Sequence, residues 1–149
     1  MQASFFNSHP TSGCFSTNLP GICEGYILGK IMILLVEDDI PNQRAVTLAL
    51  KTAGHEVMNA GDGTEALELL ARHHFELVIT DLLMPNLNGI NLINTIRFKW
   101  PDIPLILMSG YLPQDLGKAI MEGIAAFLQK PFSPTALIIT IERVLPKSG

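Results

Sequence analysis

The sequence predicts an α/β domain, a doubly wound sandwich of five parallel strands covered by helices on both faces. Two observations carry that reading. From residue 31 onward, short apolar runs alternate five times with segments of helical period. The runs are apolar at successive positions, which a strand buried on both faces requires and a half-exposed strand does not. Five such strand–helix units joined by right-handed crossovers give a parallel sheet with helices on each side, most simply in strand order 2-1-3-4-5.

Residues 31–36 form the first strand. A helix over 41–52 follows, with Pro41 in its first turn and Gly54 closing it, and Val46, Leu48, Ala49 and Leu50 are expected to face inward. A short second strand covers 56–60. Asp62 or Thr64 is available to cap the next helix, whose apolar positions are Ala66, Leu67, Leu69 and Leu70. The third strand, 76–80, ends abruptly at Asp81. Pro85 and Asn86 stop that run, and Gly89 allows the turn into a helix over 89–99 with Ile90, Leu92, Ile93 and Ile96 as its apolar stripe. Pro101 and Pro104 bracket a fourth strand at 105–108. A helix over 112–122 ends at Gly123, a fifth strand covers 125–128, and the last helix spans 134–144. The architecture is flavodoxin-like.

The domain therefore occupies 31–146, with 147–149 as a tail too short for an output domain. Residues 1–30 are rich in Ser, Asn, Thr, Gly and Pro, carry only Glu24 and Lys30 as charged side chains, and read as a poorly ordered extension. A hydrophobic fraction of 48% and a charged fraction of 16% exclude a disordered chain as a whole. The net charge of −4 offers no basic footprint for nucleic acid or an anionic membrane. No apolar run approaches the roughly 20 residues that cross a bilayer. The N-terminus lacks the basic start and apolar centre of a secretory signal, so a cytoplasmic location is expected. Cys14 and Cys23 are too few for a disulfide framework or a metal knuckle.

Function is sought where such sheets bind ligands, at the carboxyl ends of the strands. The first strand ends in Glu37, Asp38 and Asp39, the third in Asp81, the fourth in Ser109-Gly110, and the fifth in Lys130-Pro131. Strands 1, 3, 4 and 5 are neighbours in the expected order, so these side chains meet above one edge. Clustered carboxylates repel one another and call for a cation. Oxygen ligands without His or Cys suit a hard ion, with Mg²⁺ the expected one. Lys130 adds a point charge for a phosphoryl oxygen, and Ser109 a hydroxyl donor for another. One nucleophilic carboxylate, a divalent ion and two phosphate-binding groups make an aspartyl-phosphate site.

Four stretches in this order carry a family resemblance: Leu35-Val36-Glu37-Asp38-Asp39, Asp81-Leu82-Leu83-Met84-Pro85-Asn86-Leu87-Asn88-Gly89, Met108-Ser109-Gly110 and Phe127-Leu128-Gln129-Lys130-Pro131-Phe132. With them the chain resembles the receiver domain of response regulators in two-component and phosphorelay signalling. The resemblance implies that Asp81 accepts phosphate from the phosphohistidine of a histidine kinase or a histidine phosphotransfer protein. It implies Asp38 as a direct Mg²⁺ ligand, Glu37 as the acid beside it, often acting through water, and the backbone carbonyl of Leu83 as a further ligand. Asp81 itself completes the metal set. Ser109 and Lys130 would hold the phosphoryl group, and Phe127 would swing inward as Ser109 moves. A cis peptide is implied at Lys130-Pro131. The face of the fourth helix, fifth strand and fifth helix would be read by a partner or by a second copy of the domain. The module is then a signalling switch and not an enzyme. A stand-alone regulator, a relay intermediate and the receiver end of a hybrid histidine kinase all fit.

Glu37 stands where Asp is more frequent in that family, Ser109 where Thr is commoner, and Phe127 where Tyr is frequent; none threatens the chemistry. Asp39 reads as a helix N-cap in preference to a metal ligand. His73-His74 read as residues ending a helix, not as a phosphohistidine relay, and Trp100 as a helix-end packing residue. Leu83 and Tyr111 are expected beside the site, shielding an acyl phosphate from water. Two other classes compete. A pseudo-receiver would bind partners without phosphate, but would not require the full set of Asp38, Asp81, Ser109 and Lys130. A phosphatase with an aspartyl-phosphate intermediate would place its nucleophile after the first strand and need a cap domain.

Overall fold

A computed structural model describes residues 29–84, 89–110 and 117–145. The expectations for the N-terminal extension, for Pro85 and Asn86, for Tyr111, for the start of the fourth helix and for the tail lie outside these residues. Within them, the strands are β1 (Met32–Val36), β2 (Glu56–Ala60), β3 (Leu77–Asp81), β4 (Leu105–Ser109) and β5 (Ala126–Gln129). The helices are α1 (Ile40–Thr52), α2 (Gly63–Arg72), α3 (Gly89–Lys99), α4 (Gly117–Gly123) and α5 (Pro134–Val144). All neighbouring strands pair in parallel, in the order β2-β1-β3-β4-β5. The doubly wound, flavodoxin-like reading therefore holds.

The pleat divides the core in two. Leu34, Val36, Val78 and Leu107 pack with Ala66, Leu70, Leu92, Ile93, Ile96 and Ile120, so α2, α3 and α4 cover one face. Ile33, Leu35, Ile79 and Ile106 pack with Val46, Leu50, Leu137, Ile138 and Ile141, so α1 and α5 cover the other. Successive strand residues point to opposite faces, and both faces are apolar because both are covered.

Two expectations need correction. Burial on both faces is complete for β3 and β4 and nearly so for β1, but not for β2 and β5. These are the sheet edges, where covering helices overhang less and polar residues such as Glu56, Asn59 and Gln129 are exposed. Leu48 is 68% exposed, whereas Val46 and Leu50 are buried. Two residues along a helix is about 200° of rotation, so Leu48 cannot share a face with either.

Local chemistry sets the helix ends. Asp39 caps α1, its Oδ2 accepting the N–H of Asn42 at 3.0 Å, as the N-cap reading expected. Asp62 caps α2 through the N–H of Glu65 at 2.8 Å, and Ser133 caps α5 through that of Ala136 at 3.0 Å. Gly54, at φ +98°, leaves α1 by a left-handed turn that a side chain would resist. His73 closes α2, its backbone N–H reaching the Leu69 carbonyl. Trp100 is half-buried against the core at the end of α3, with its N–H on the Ile96 carbonyl.

Candidate functional site

Glu37, Asp38, Asp81, Leu83, Ser109 and Lys130 lie at the carboxyl edge of the sheet, whereas Phe127 is the second residue of β5. β1 runs into Glu37, whose backbone N–H extends the ladder to the Ala60 carbonyl at 3.0 Å. Its side chain is only 1% exposed. Glu37 Oε1 accepts the Asp39 N–H at 3.1 Å, and the Glu37 carbonyl accepts from Gln43 Nε2 at 3.0 Å. Nothing in the local pattern marks Gln43 for this contact. Asp38, one residue on, points to solvent.

Asp81 is the last residue of β3. Its Oδ1 accepts the Leu82 N–H at 2.6 Å and, more weakly, the Leu83 N–H at 3.4 Å. These bonds within its own turn fix the carboxylate and leave Oδ2 facing the other strand ends. Thr80 supports the same turn from the core side, its hydroxyl donating to the Asp81 carbonyl at 2.9 Å. Leu83 is 66% exposed at the rim of the site.

Gly89 proves necessary for a reason the sequence reading did not see. A Cβ there would lie 2.6 Å from the Asp81 carbonyl oxygen and 2.7 Å from both Leu82 Cα and the Leu82 carbonyl oxygen. The Gly89 N–H also bonds the Leu82 carbonyl at 2.9 Å. The first residue of α3 is thus pressed onto the backbone that presents Asp81, and glycine is required by close approach.

Ser109 ends β4 and is 2% exposed. Its carbonyl accepts the Lys130 N–H at 2.9 Å, one rung beyond the last residue of β5, and this delivers Lys130 to the site. The Lys130-Pro131 peptide is cis. Lys130 Nζ lies 2.6 Å from Glu37 Oε2 and 2.8 Å from Asp81 Oδ2, so one ammonium bridges acids from two strands. Phe127, partly buried, packs in the layer that holds α2, α3 and α4.

The electrostatics follow from burial and pairing. Burial pushes the Glu37 carboxyl above its ordinary range, and the bonds from Lys130 and the Asp39 N–H only partly offset this. Burial also works against the Lys130 ammonium, but its bonds to Asp81 and Glu37 outweigh that and hold its pKa above the usual lysine value. Lys130 is therefore a fixed positive charge at neutral pH. Oxygens of Glu37, Asp38 and Asp81 come within 4.8 Å of one another, a spacing and a hard-oxygen donor set that fit a small divalent ion.

A parallel α/β sheet whose carboxyl edge gathers three acids and a lysine places the chain among the doubly wound α/β domains that carry their site at that edge. The comparisons take the assignment further. Residues 33–142 match the family model of the response regulator receiver domain. Response regulator protein FleR of Pseudomonas aeruginosa is 38% identical over 112 residues, covering 74% of this chain and 24% of FleR. Sensor kinase CckA of Brucella abortus is 33% identical over 122 residues, covering 80% of this chain and 13% of CckA. The chain thus spans a minor part of these two relatives. Among solved structures, chemotaxis response regulator CheY4 of Vibrio cholerae superposes with a TM-score of 0.72 at 31% identity, covering 78% of this chain and 99% of CheY4. Response regulator TrrA of Thermotoga maritima, solved with Mg²⁺ and beryllofluoride, gives 0.71 at 27%, covering 77% of this chain and 99% of TrrA. The chain belongs to the response regulator receiver domain family, the receiver class of two-component signalling. Among the described residues no helix is long and apolar enough to cross a membrane.

Proposed function

We propose that this domain is a phosphorylation switch in which Asp81 is the phosphoacceptor. The observation that carries the reading is the Lys130 ammonium bridging Asp81 and Glu37 at the end of β3. Asp81 Oδ2 attacks the phosphorus of a phosphohistidine on a histidine kinase or a phosphotransfer protein. The new P–O bond forms as the P–N bond breaks, and the imidazole leaves with the electron pair of that bond. Oδ1 stays tied to the Leu82 N–H, which orients the attacking oxygen. Lys130 neutralises one phosphoryl oxygen, and the Ser109 hydroxyl donates to another.

Glu37, Asp38, Asp81 and the Leu83 carbonyl would hold Mg²⁺, with Glu37 acting directly or through water. Bound there, the ion supplies charge neutralisation for the transferring group. Phosphorylation draws Ser109 toward the new charge, and Phe127 fills the vacated space. The face of α4, β5 and α5 then changes for a partner or for a second copy of the domain. We assign this role to residues 31–146 and none to the segment before them. A cytoplasmic site of action follows from the need for a phosphohistidine donor.

Intact mass after incubation with acetyl phosphate and Mg²⁺ tests the reading. One phosphoryl increment that requires Mg²⁺ and is lost in Asp81→Asn is expected. No increment in the wild-type chain, together with no Mg²⁺ binding, would leave a phosphate-independent binding module.

A further inference from the structure

We propose that Arg97 is a clasp that sets the resting position of α4, and so the ease with which the switch face rearranges. The inference rests on the receiver switch proposed above but concerns a contact outside its chemistry. The described part of α4 is Gly117–Gly123. Among its described side chains Ile120 is buried, while Lys118, Met121 and Glu122 are exposed. Segments with few buried contacts open most readily, so a further hold on this helix matters to its position.

That further hold comes from α3. The space that a Cβ at Gly123 would need is filled by the Arg97 guanidinium, with Cζ, Nε and Nη1 all in that volume. Gly123 ends α4, where the last carbonyls lack partners within the helix. The last turn of α4 holds no basic residue and does hold Glu122. A positive group at that end is favourable to both. Arg97 supplies it from the neighbouring helix, and only a glycine lets the planar group come so close. Arg97 is itself half-buried on a helix whose Leu92, Ile93 and Ile96 are fully buried, so the clasp is mounted on a rigid base. On the inner side, Ile120 and Phe127 belong to the same core layer, so a shift of α4 and a movement of Phe127 are mechanically linked.

The test is amide hydrogen exchange over residues 117–123 in the full chain, for wild type, Arg97→Ala, Gly123→Ala and the double variant. Arg97→Ala raises exchange of that segment about tenfold while β1, β3 and β4 keep theirs. Gly123→Ala does the same in the wild-type background, because the new methyl expels a flexible guanidinium. In the Arg97→Ala background the same substitution is neutral or protective, because the space is vacant and alanine favours helix. In parallel, the beryllofluoride concentration that half-saturates the Mg²⁺-loaded protein, followed by NMR, falls in both single variants, since less is spent on releasing α4. Unchanged exchange in Arg97→Ala, or effects that multiply in the double variant, would overturn the clasp. A normal wild-type response whose midpoint the variants leave unmoved would also overturn it. No wild-type response to Mg²⁺ and beryllofluoride would instead overturn the receiver switch, and the regulatory role of Arg97 with it.

Discussion

Lys130 does two things at once. It satisfies a carboxylate that the fold has almost wholly removed from water, and it stands beside the oxygen that we propose reacts. Removing it separates these roles. In Lys130→Met, Glu37 is left buried without its partner, and three acids face one another with no cation among them. We expect about 1–3 kcal/mol of lost stability in chelator, with part of it restored by Mg²⁺, as read by urea unfolding in the two buffers. Equal stability in both buffers would contradict this account. His55 offers a second residue-scale prediction, at the opposite edge of the sheet. It follows the α1 cap, is 6% exposed, and its Nδ1 finds no hydrogen-bond partner. Burial lowers its pKa below the ordinary 6.5, and nearby Glu76 offsets this only in part. The unfolded chain therefore binds a proton at a pH where the folded one does not. Stability contributed by neutral His55 is complete above about pH 6.5 and declines as the pH falls through the window below it. His55→Phe should flatten that part of the stability–pH curve, and an unchanged slope would show that another group carries it.

Among the elements, α3 is the one on which the site leans. Its first residue touches the backbone of Asp81 and Leu82, and backbone cannot rotate out of the way of a methyl group. Gly89→Ala should cost about 1–3 kcal/mol by denaturant melt and slow phosphorylation of Asp81, while leaving Mg²⁺ dependence intact. Much at this scale was legible in the chain itself. The β-branched runs of β3 and β4 are buried throughout, and Asp39, Gly54 and Pro134 mark helix ends where capping chemistry places them. What was not legible depends on partners remote in sequence. Leu48 reads as core by composition, but helical phase turns it outward. The edge strands β2 and β5 read as buried because edge position is a property of the whole sheet. Gly89 was recognised as a glycine needed locally, yet the cause is a contact across a turn. The crowding of Arg97 over Gly123 leaves no mark in either local sequence. The candidate side chains at the strand ends were legible for a simple reason: strand termini are visible in sequence, and the strand order then dictates which of them meet.

For the molecule as a whole, a divalent ion that binds only the folded acid cluster stabilises it by linkage. Adding Mg²⁺ to ten times its dissociation constant should raise the unfolding free energy by about 1.4 kcal/mol, and Asp38→Ala should remove most of that gain. A melting temperature indifferent to Mg²⁺ in the wild-type chain would count against the cluster as a metal site. The way the site is assembled has one more consequence. Lys130 lies 93 residues after Glu37 and 49 after Asp81, and it reaches them through the last strand of the sheet. During synthesis, the acids leave the ribosome well before the cation that neutralises them. A nascent or truncated chain ending short of Lys130 holds an unbalanced cluster of negative charge and lacks the group that we propose holds the phosphoryl oxygen. On the proposed switch, competence to receive a signal arrives late in translation, and chains cut off before that point are expected to be poor competitors for the phosphodonor.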